Sequence, residues 1–178
     1  MNKQIKIYDN VFDTQMLNYA DNYIQELAYK PHTSTTIDES NFFASDGLWG
    51  EHTIIHFLKD IITEYNGQPI FQETPDVTRV YANVHNYGKH NGGRWHTDEG
   101  DNGNGWCNVT MLLYLQEWDS KWLGGTMFKD GNEVDTIPYV RNRMVVFPAN
   151  IPHKAQYHLN KSNMRYTLAY KMSGKLSE

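Results

Sequence analysis

A single cysteine, Cys107, occurs among the 178 residues. The chain can therefore close no disulfide on itself, and it cannot assemble the multi-thiolate sites of zinc fingers or iron–sulfur clusters. No apolar run approaches the ~18 residues that a membrane-spanning helix needs, and the opening MNKQIKIYDN has no apolar stretch of signal-peptide length. Positive charge is also scarce. The formal net charge is -5, whereas domains that grip nucleic-acid backbone usually carry a basic stripe. Neither a membrane nor a nucleic-acid partner is expected, and a reducing, cytoplasmic location is. What is present, 39% apolar and 21% charged residues, suits a folded globular chain, and this length predicts one domain over residues 1–178.

Two periodicities divide the chain. Ile5 and Ile7 alternate with polar neighbours, as in a short strand. Asp13 can cap a helix in which Met16, Leu17, Ala20, Tyr23, Ile24 and Leu27 recur at helical spacing up to Pro31. Residues 32–48, rich in Ser, Thr, Asp and Asn, read as a loop. Ile54, Ile55, Leu58, Ile61, Ile62 and Tyr65 predict a second helix, stopped by Asn66-Gly67. These pieces form a helical support over residues 1–70. From Val77 the period becomes two. Val80, Ala82 and Val84 mark a packing face, and Arg79, Tyr81, Asn83, His85 and Tyr87 mark a polar and aromatic face suited to a cavity wall. Further strands are expected at about 106–117, 126–129, 133–137, 143–147 and 164–172, with a loop at 99–105. The predicted fold is mainly β with N-terminal helices: a jelly-roll or double-stranded β-helix, cupin-like, over residues 77–172.

His96 and Asp98 stand two apart, so on a strand both side chains reach one face. The spacing needs context, because about 0.5 His-x-Asp matches arise by chance in a chain of this composition. Three features supply it. His153 follows the strand Met144-Val145-Val146-Phe147 and a Pro-containing turn. Arg165 lies twelve residues later on one strand face with Thr167, where a lone buried Arg is costly without an anion. Thr110, Leu112 and Tyr114 share one side of the strand before them. Two imidazoles and a carboxylate on one face of iron(II) leave three positions open, the facial triad of non-haem oxygenases. 2-Oxoglutarate can fill two, leaving the third for dioxygen, and its far carboxylate suits an arginine fork. Thr167 or Tyr114 could complete that pocket. His85 and His90 are rival ligands, with His85 better suited to the cavity wall. His158 reads as a solvated histidine, and Arg141 and Arg143 as surface charges. Trp106 and Trp122 fit core or rim packing. Lys89, His90 and Arg94 form a small basic cluster that could meet an acidic substrate.

The stretch Asn108-Val109-Thr110-Met111-Leu112-Leu113-Tyr114-Leu115, with Trp118-Asp119 and Gly124-Gly125 after it, resembles the prolyl-hydroxylase-like branch of the 2-oxoglutarate/iron(II) oxygenases. The resemblance covers residues 77–172. It implies a double-stranded β-helix, iron(II) held by His96, Asp98 and His153, and 2-oxoglutarate anchored by Arg165 and touched by Tyr114. Tyr87 matches an upstream tyrosine near the co-substrate, offset by one residue. The implied reaction hydroxylates a C–H bond, with 2-oxoglutarate decarboxylated to succinate and carbon dioxide, and the implied substrate is a prolyl residue of a peptide or protein. Asp98 favours hydroxylation, because halogenating relatives lack that carboxylate. Nucleic-acid demethylases of the superfamily carry a second Arg where this chain has Lys171. A small molecule or nucleobase is the alternative substrate, and a non-catalytic cupin-like metal-binding protein the alternative class.

Overall fold

Alternation of side chains, more than continuous hydrophobicity, builds the β part of the chain. The computed structural model describes residues 2–31, 42–45, 64–89, 92–101 and 106–177. Its elements are β1 (Lys6–Asp9), α1 (Thr14–Glu26), β2 (Tyr29–Pro31), β3 (Phe42–Ser45), β4 (Glu64–Tyr65), β5 (Gln68–Pro69), β6 (Asp76–His85), β7 (Gly100–Asp101), β8 (Trp106–Cys107), β9 (Val109–Tyr114), β10 (Thr126–Asp130), β11 (Glu133–Ile137), β12 (Arg143–Pro148), β13 (His153–Ala155) and β14 (Arg165–Ser173). A large sheet runs in the order β1-β12-β9-β14-β6-β3-β2, and a smaller one in the order β11-β10-β13. The architecture is mainly β with an N-terminal helix, of the double-stranded β-helix type.

The large sheet sorts its residues by parity, up to the register shift near the start of β6. Met111 and Leu113 of β9, Met144 and Val146 of β12, Leu168, Tyr170 and Met172 of β14, and Val80 and Ala82 of β6 join one buried cluster. Helix α1 covers that face with Leu17, Ala20 and Ile24, at helical spacing. The Asp13 carboxylate accepts from the Met16 amide at 2.8 Å and caps the helix, as its position predicts. The intervening residues Leu112, Tyr114, Val145, Phe147 and Ala169 form a second cluster with Phe128 and Ile137 of the smaller sheet. The site lies between the two sheets, on this inner face.

Three local expectations are revised. Asn66 and Gly67, with φ of 51° and 74°, turn the β4–β5 hairpin instead of stopping a helix. Positive φ at both central residues is the type I′ geometry that Asn-Gly favours. The predicted helix from Ile54 lies outside the described residues up to position 63, and Tyr65 belongs to β4. Within the expected 32–48 loop, residues 42–45 form β3, paired with β6. Within the expected 99–105 loop, Gly100–Asp101 pairs with β8. Among the described residues no helix is long and apolar enough to cross a membrane.

Candidate metal centre and co-substrate pocket

Backbone pairing sets the metal ligands before their side chains do. His96 and His153 form an isolated antiparallel bridge, exchanging amide-to-carbonyl bonds of 3.1 and 2.9 Å. The Asp98 amide donates to the Ala149 carbonyl at 2.8 Å. The segment carrying His-x-Asp is thus fastened along the turn that delivers His153. His153 opens β13 and is buried, with the Phe147 ring centroid 4.8 Å from its own. The three side chains offer ligand atoms that all lie within 4.8 Å of one another. His153 Nε2 is 3.1 Å from Asp98 Oδ2, and His96 Nε2 is 3.6 Å from Asp98 Oδ1. Ligand atoms about 2.1 Å from one ion, at right angles, sit about 3 Å apart, so the spacing fits a single metal.

The tautomers fit as well. His96 Nδ1 is 2.9 Å from the Arg94 carbonyl, and His153 Nδ1 is 2.9 Å from the Ile151 carbonyl. A carbonyl only accepts, so each Nδ1 carries the proton and each Nε2 keeps a lone pair for the metal. Burial, followed by the neighbouring His153, lowers the His96 pKa and favours the neutral ligand form. Burial opposes the Asp98 charge, but Lys171 and then His153 outweigh it and hold the carboxyl well below the usual range. Thr110 donates to Asp98 Oδ2 at 2.8 Å, and Lys171 Nζ contacts the same oxygen. Two imidazoles and one ionised carboxylate are the donor set of a non-haem iron(II) site.

The triad opens into a cavity of about 550 Å³. Its wall is the shared face of β6 and β14, where Arg165 faces His85, Thr167 faces Asn83 and Lys171 faces Arg79 in register. Arg165 is 2% exposed and forms no ion pair among the described residues. Its Nε donates to the Gly124 carbonyl, and Nη2 lies 3.4 Å from the Gly125 carbonyl. Its guanidinium carbon is 5.4 Å from the Tyr139 centroid and 5.9 Å from that of Tyr114. The Gly-Gly step makes this possible. Gly124 has a φ of 81°, and a Cβ on Gly125 would stand 2.2 Å from the Ile137 carbonyl oxygen. Burial lowers the Arg165 pKa, yet guanidinium stays charged at any working pH.

Thr167 lines the cavity beside Arg165. Tyr114 stands one layer back: it is fully buried, and its hydroxyl donates at 2.6 Å to Thr126 Oγ1, which lines the cavity instead. Tyr87 is 51% exposed beyond the end of β6 and outside the lining. His85 lines the wall but is not in the metal cluster, and His90 lies outside the described residues. His158 is buried, not solvated, with Nε2 2.9 Å from the His85 carbonyl and its ring against Trp118. Arg143 is ion-paired to Asp9. Trp106 is exposed, and Trp122 packs edge-on against Trp118. Sequence reasoning misses Thr126, Tyr139 and Trp95. Thr126 has a signal, since it follows the Gly-Gly step that holds Arg165. Trp95, which lines the cavity with Arg94, has only its place beside His96.

The sequence profile of the 2OG-Fe(II) oxygenase superfamily matches residues 82–170, which hold the triad, Arg165 and most of the cavity wall. The chain belongs to that superfamily. Its triad and fold make it a 2-oxoglutarate/iron(II)-dependent enzyme. Several solved oxygenases share the fold at low identity. An oxidoreductase of the 2OG-Fe(II) oxygenase family from Burkholderia pseudomallei superposes with a TM-score of 0.71 at 13% identity, covering 96% of this chain and 84% of that one. A prolyl hydroxylase from Trichoplax adhaerens, in complex with a hypoxia inducible factor oxygen degradation domain peptide fragment, gives 0.68 at 16% identity, with coverages of 97% and 84%. HygX from Streptomyces hygroscopicus, with nickel and 2-oxoglutarate bound, gives 0.69 at 9%, with coverages of 96% and 83%. No curated protein matches the chain in sequence.

Proposed function

We propose that this oxygenase hydroxylates a C–H bond of its substrate, with Arg165 anchoring 2-oxoglutarate and succinate and carbon dioxide as co-products. The observation that carries this reading is the buried Arg165 guanidinium, which faces the cavity with no carboxylate partner among the described residues. Leaving such a charge uncompensated costs several kcal/mol, and a dicarboxylate reaching from the triad would compensate it. His96, Asp98 and His153 would hold iron(II), which supplies dioxygen activation when bound. Thr126 and Thr167 flank the Arg165 end and can hydrogen-bond the same carboxylate. Tyr114 positions Thr126 through its hydroxyl, and Tyr87 has at most a peripheral part. The residues thus orient the keto acid along β14 and keep one end of the cavity for substrate.

For the substrate, a prolyl residue of a peptide or protein is the first reading. It rests on the likeness of residues 108–125 to the prolyl-hydroxylase-like branch and on the shared fold of the Trichoplax enzyme. A small-molecule substrate is the second, favoured by the charged lining of the cavity. The chain acts as one catalytic domain in the cytoplasm, a reading supported by coverage of more than four fifths of these relatives' length and by the lone buried Cys107.

Anaerobic titration with iron(II) and 2-oxoglutarate tests the co-substrate assignment. A weak visible charge-transfer band that needs both additions, and is lost in His96→Ala, is the expected outcome. Folded protein that binds iron yet gives no band would overturn it.

A further inference from the structure

The cavity lining carries four cationic side chains, Arg79, Arg94, Arg165 and Lys171, against one carboxylate, Asp98. The chain as a whole carries a formal net charge of -5, so this surplus runs against the composition. Iron(II) and the 2-oxoglutarate dianion cancel one another, and loading the site leaves the surplus in place. Arg165 is taken by the co-substrate in the reading above, on which this inference rests. Of the others, Lys171 is engaged by Asp98, and Arg79 still needs an explanation.

Two of them are placed against each other. Arg79 of β6 and Lys171 of β14 are direct cross-strand partners, with side chains on the same face. Like charges directly opposite destabilise a sheet. Lys171 is 5% exposed and is already engaged by Asp98, with its Nζ 5.7 Å from the Tyr81 ring centroid. Arg79 is half-buried, with its guanidinium carbon 4.6 Å from the same Tyr81 centroid. It meets no carboxylate among the described residues. The pair is the last of the regular ladder that begins at Arg165 and His85. The register of β6 against β14 shifts immediately beyond this pair, between Lys171 and Met172, and Thr78 donates to the Lys171 carbonyl at 3.0 Å. Bulges of this kind re-aim side chains beside functional sites.

Position separates Arg79 from the co-substrate. Arg165 and Lys171 are six residues apart on β14, about 20 Å along an extended strand. The terminal carbons of 2-oxoglutarate, four C–C bonds of about 1.5 Å apart, span only about 5 Å. A keto acid that runs from the triad towards Arg165 leads away from the Arg79 end of the wall.

We infer that Arg79 is a specificity-determining residue that binds a carboxylate of the substrate, with Lys171 adding to the field, so that the oxygenase prefers a substrate bearing an anionic group next to the carbon it oxidises. The guanidinium fork gives a carboxylate two charge-assisted bonds and fixes its orientation. That carboxylate can belong to a free acid or to an acidic side chain beside a target residue in a peptide.

The test uses matched acid and amide probes on the whole protein, loaded anaerobically with iron(II) and 2-oxoglutarate, with binding read by calorimetry. N-acetyl-L-proline against N-acetyl-L-prolinamide represents the free acid. Acetyl-Asp-Pro-amide against acetyl-Asn-Pro-amide represents the acidic peptide, and whichever acid binds identifies the source. At least one acid is expected to bind at least tenfold more tightly than its amide. Arg79→Gln should reduce that ratio to within threefold, and Arg79→Lys should retain part of it. No preference for either acid, including no binding at all, overturns the proposal. So does a preference unchanged in Arg79→Gln. A rise in the 2-oxoglutarate concentration needed for the charge-transfer band of Arg79→Gln would assign the residue to the co-substrate and also overturn it. Absence of that band in the unaltered protein would instead sink the oxygenase reading, while the acid–amide ratios would still decide whether Arg79 binds a carboxylate.

Discussion

At Arg165, charge and shape can be separated. The side chain is held by the carbonyls of Gly124 and Gly125 and lies beside the rings of Tyr139 and Tyr114, so the guanidinium plane is fixed before any ligand arrives. That preorganisation lowers the entropic cost of binding a carboxylate. Lysine would keep the charge but lose the fork and the contact with both carbonyls. Arg165→Lys is therefore expected to raise the KM for 2-oxoglutarate about 10- to 100-fold, which corresponds to about 1.4–2.8 kcal/mol, with kcat largely retained at saturation. Arg165→Ala should raise it further. Steady-state kinetics with varied 2-oxoglutarate decide the matter. A fall in kcat with KM unmoved would place the arginine at the chemistry and not at the anchor.

The strands show what a sequence can reveal and what it hides. β14 alternates Arg165 and Thr167 with Tyr166 and Leu168, and that alternation alone separates cavity wall from core. The same holds for β6, where Arg79, Tyr81, Asn83 and His85 line the cavity and Val80, Ala82 and Val84 are buried. β13 leaves almost no pattern. It has three residues, and its place is fixed by pairing with β10 and by the bridge to His96, both of which are long-range. Thr126 is marked in the sequence only by the Gly-Gly step before it, and its hydrogen bond from Tyr114 comes from tertiary structure. Lys171 is visible only as a spacing from Arg165, and its contact with Asp98 comes from tertiary structure. Arg143 reads as a surface charge, yet it closes the sheet edge. β1 is an edge strand, and its last register pair sets Asp9 opposite Arg143, with N–O distances of 2.6 and 2.9 Å. The hydrogen bond from Arg143 holds the Asp9 pKa below its ordinary value. A carboxylate lowered in the folded state contributes stability above its unfolded pKa of about 3.9 and loses it as the pH falls through the folded value. Asp9 is nearly half exposed, so solvent screens the pair. Asp9→Asn should cost about 0.5–1 kcal/mol at pH 7, with the difference from wild type closing as the pH drops well below 4. Urea midpoints at stepped pH measure this. A deficit that persists at pH 3 would mean that the asparagine disturbs the strand end itself.

For the whole molecule, the metal site is a clasp between segments distant in sequence. His96 and Asp98 come from one segment and His153 from another, and backbone bonds hold the two together. Only the folded chain presents all three ligands, so binding should stabilise the fold by mass action. At a free ligand concentration of one hundred times Kd the gain is about 2.7 kcal/mol. For a chain of this size 1 kcal/mol shifts Tm by about 2–4 °C, which predicts a rise of about 5–11 °C on loading with iron(II) under anaerobic conditions. Chelation should not unfold the protein. Lys171 already neutralises Asp98 without metal, and both hydrophobic clusters form from residues other than the three ligands. This differs from small zinc domains, whose fold depends on the ion. Calorimetry of chelated and iron-loaded protein should therefore show two cooperative transitions separated by that interval, with the upper one lost in His153→Ala. Loss of cooperative unfolding on chelation would make the metal a structural element of the fold. No shift on loading would remove His96, Asp98 and His153 as a joint site.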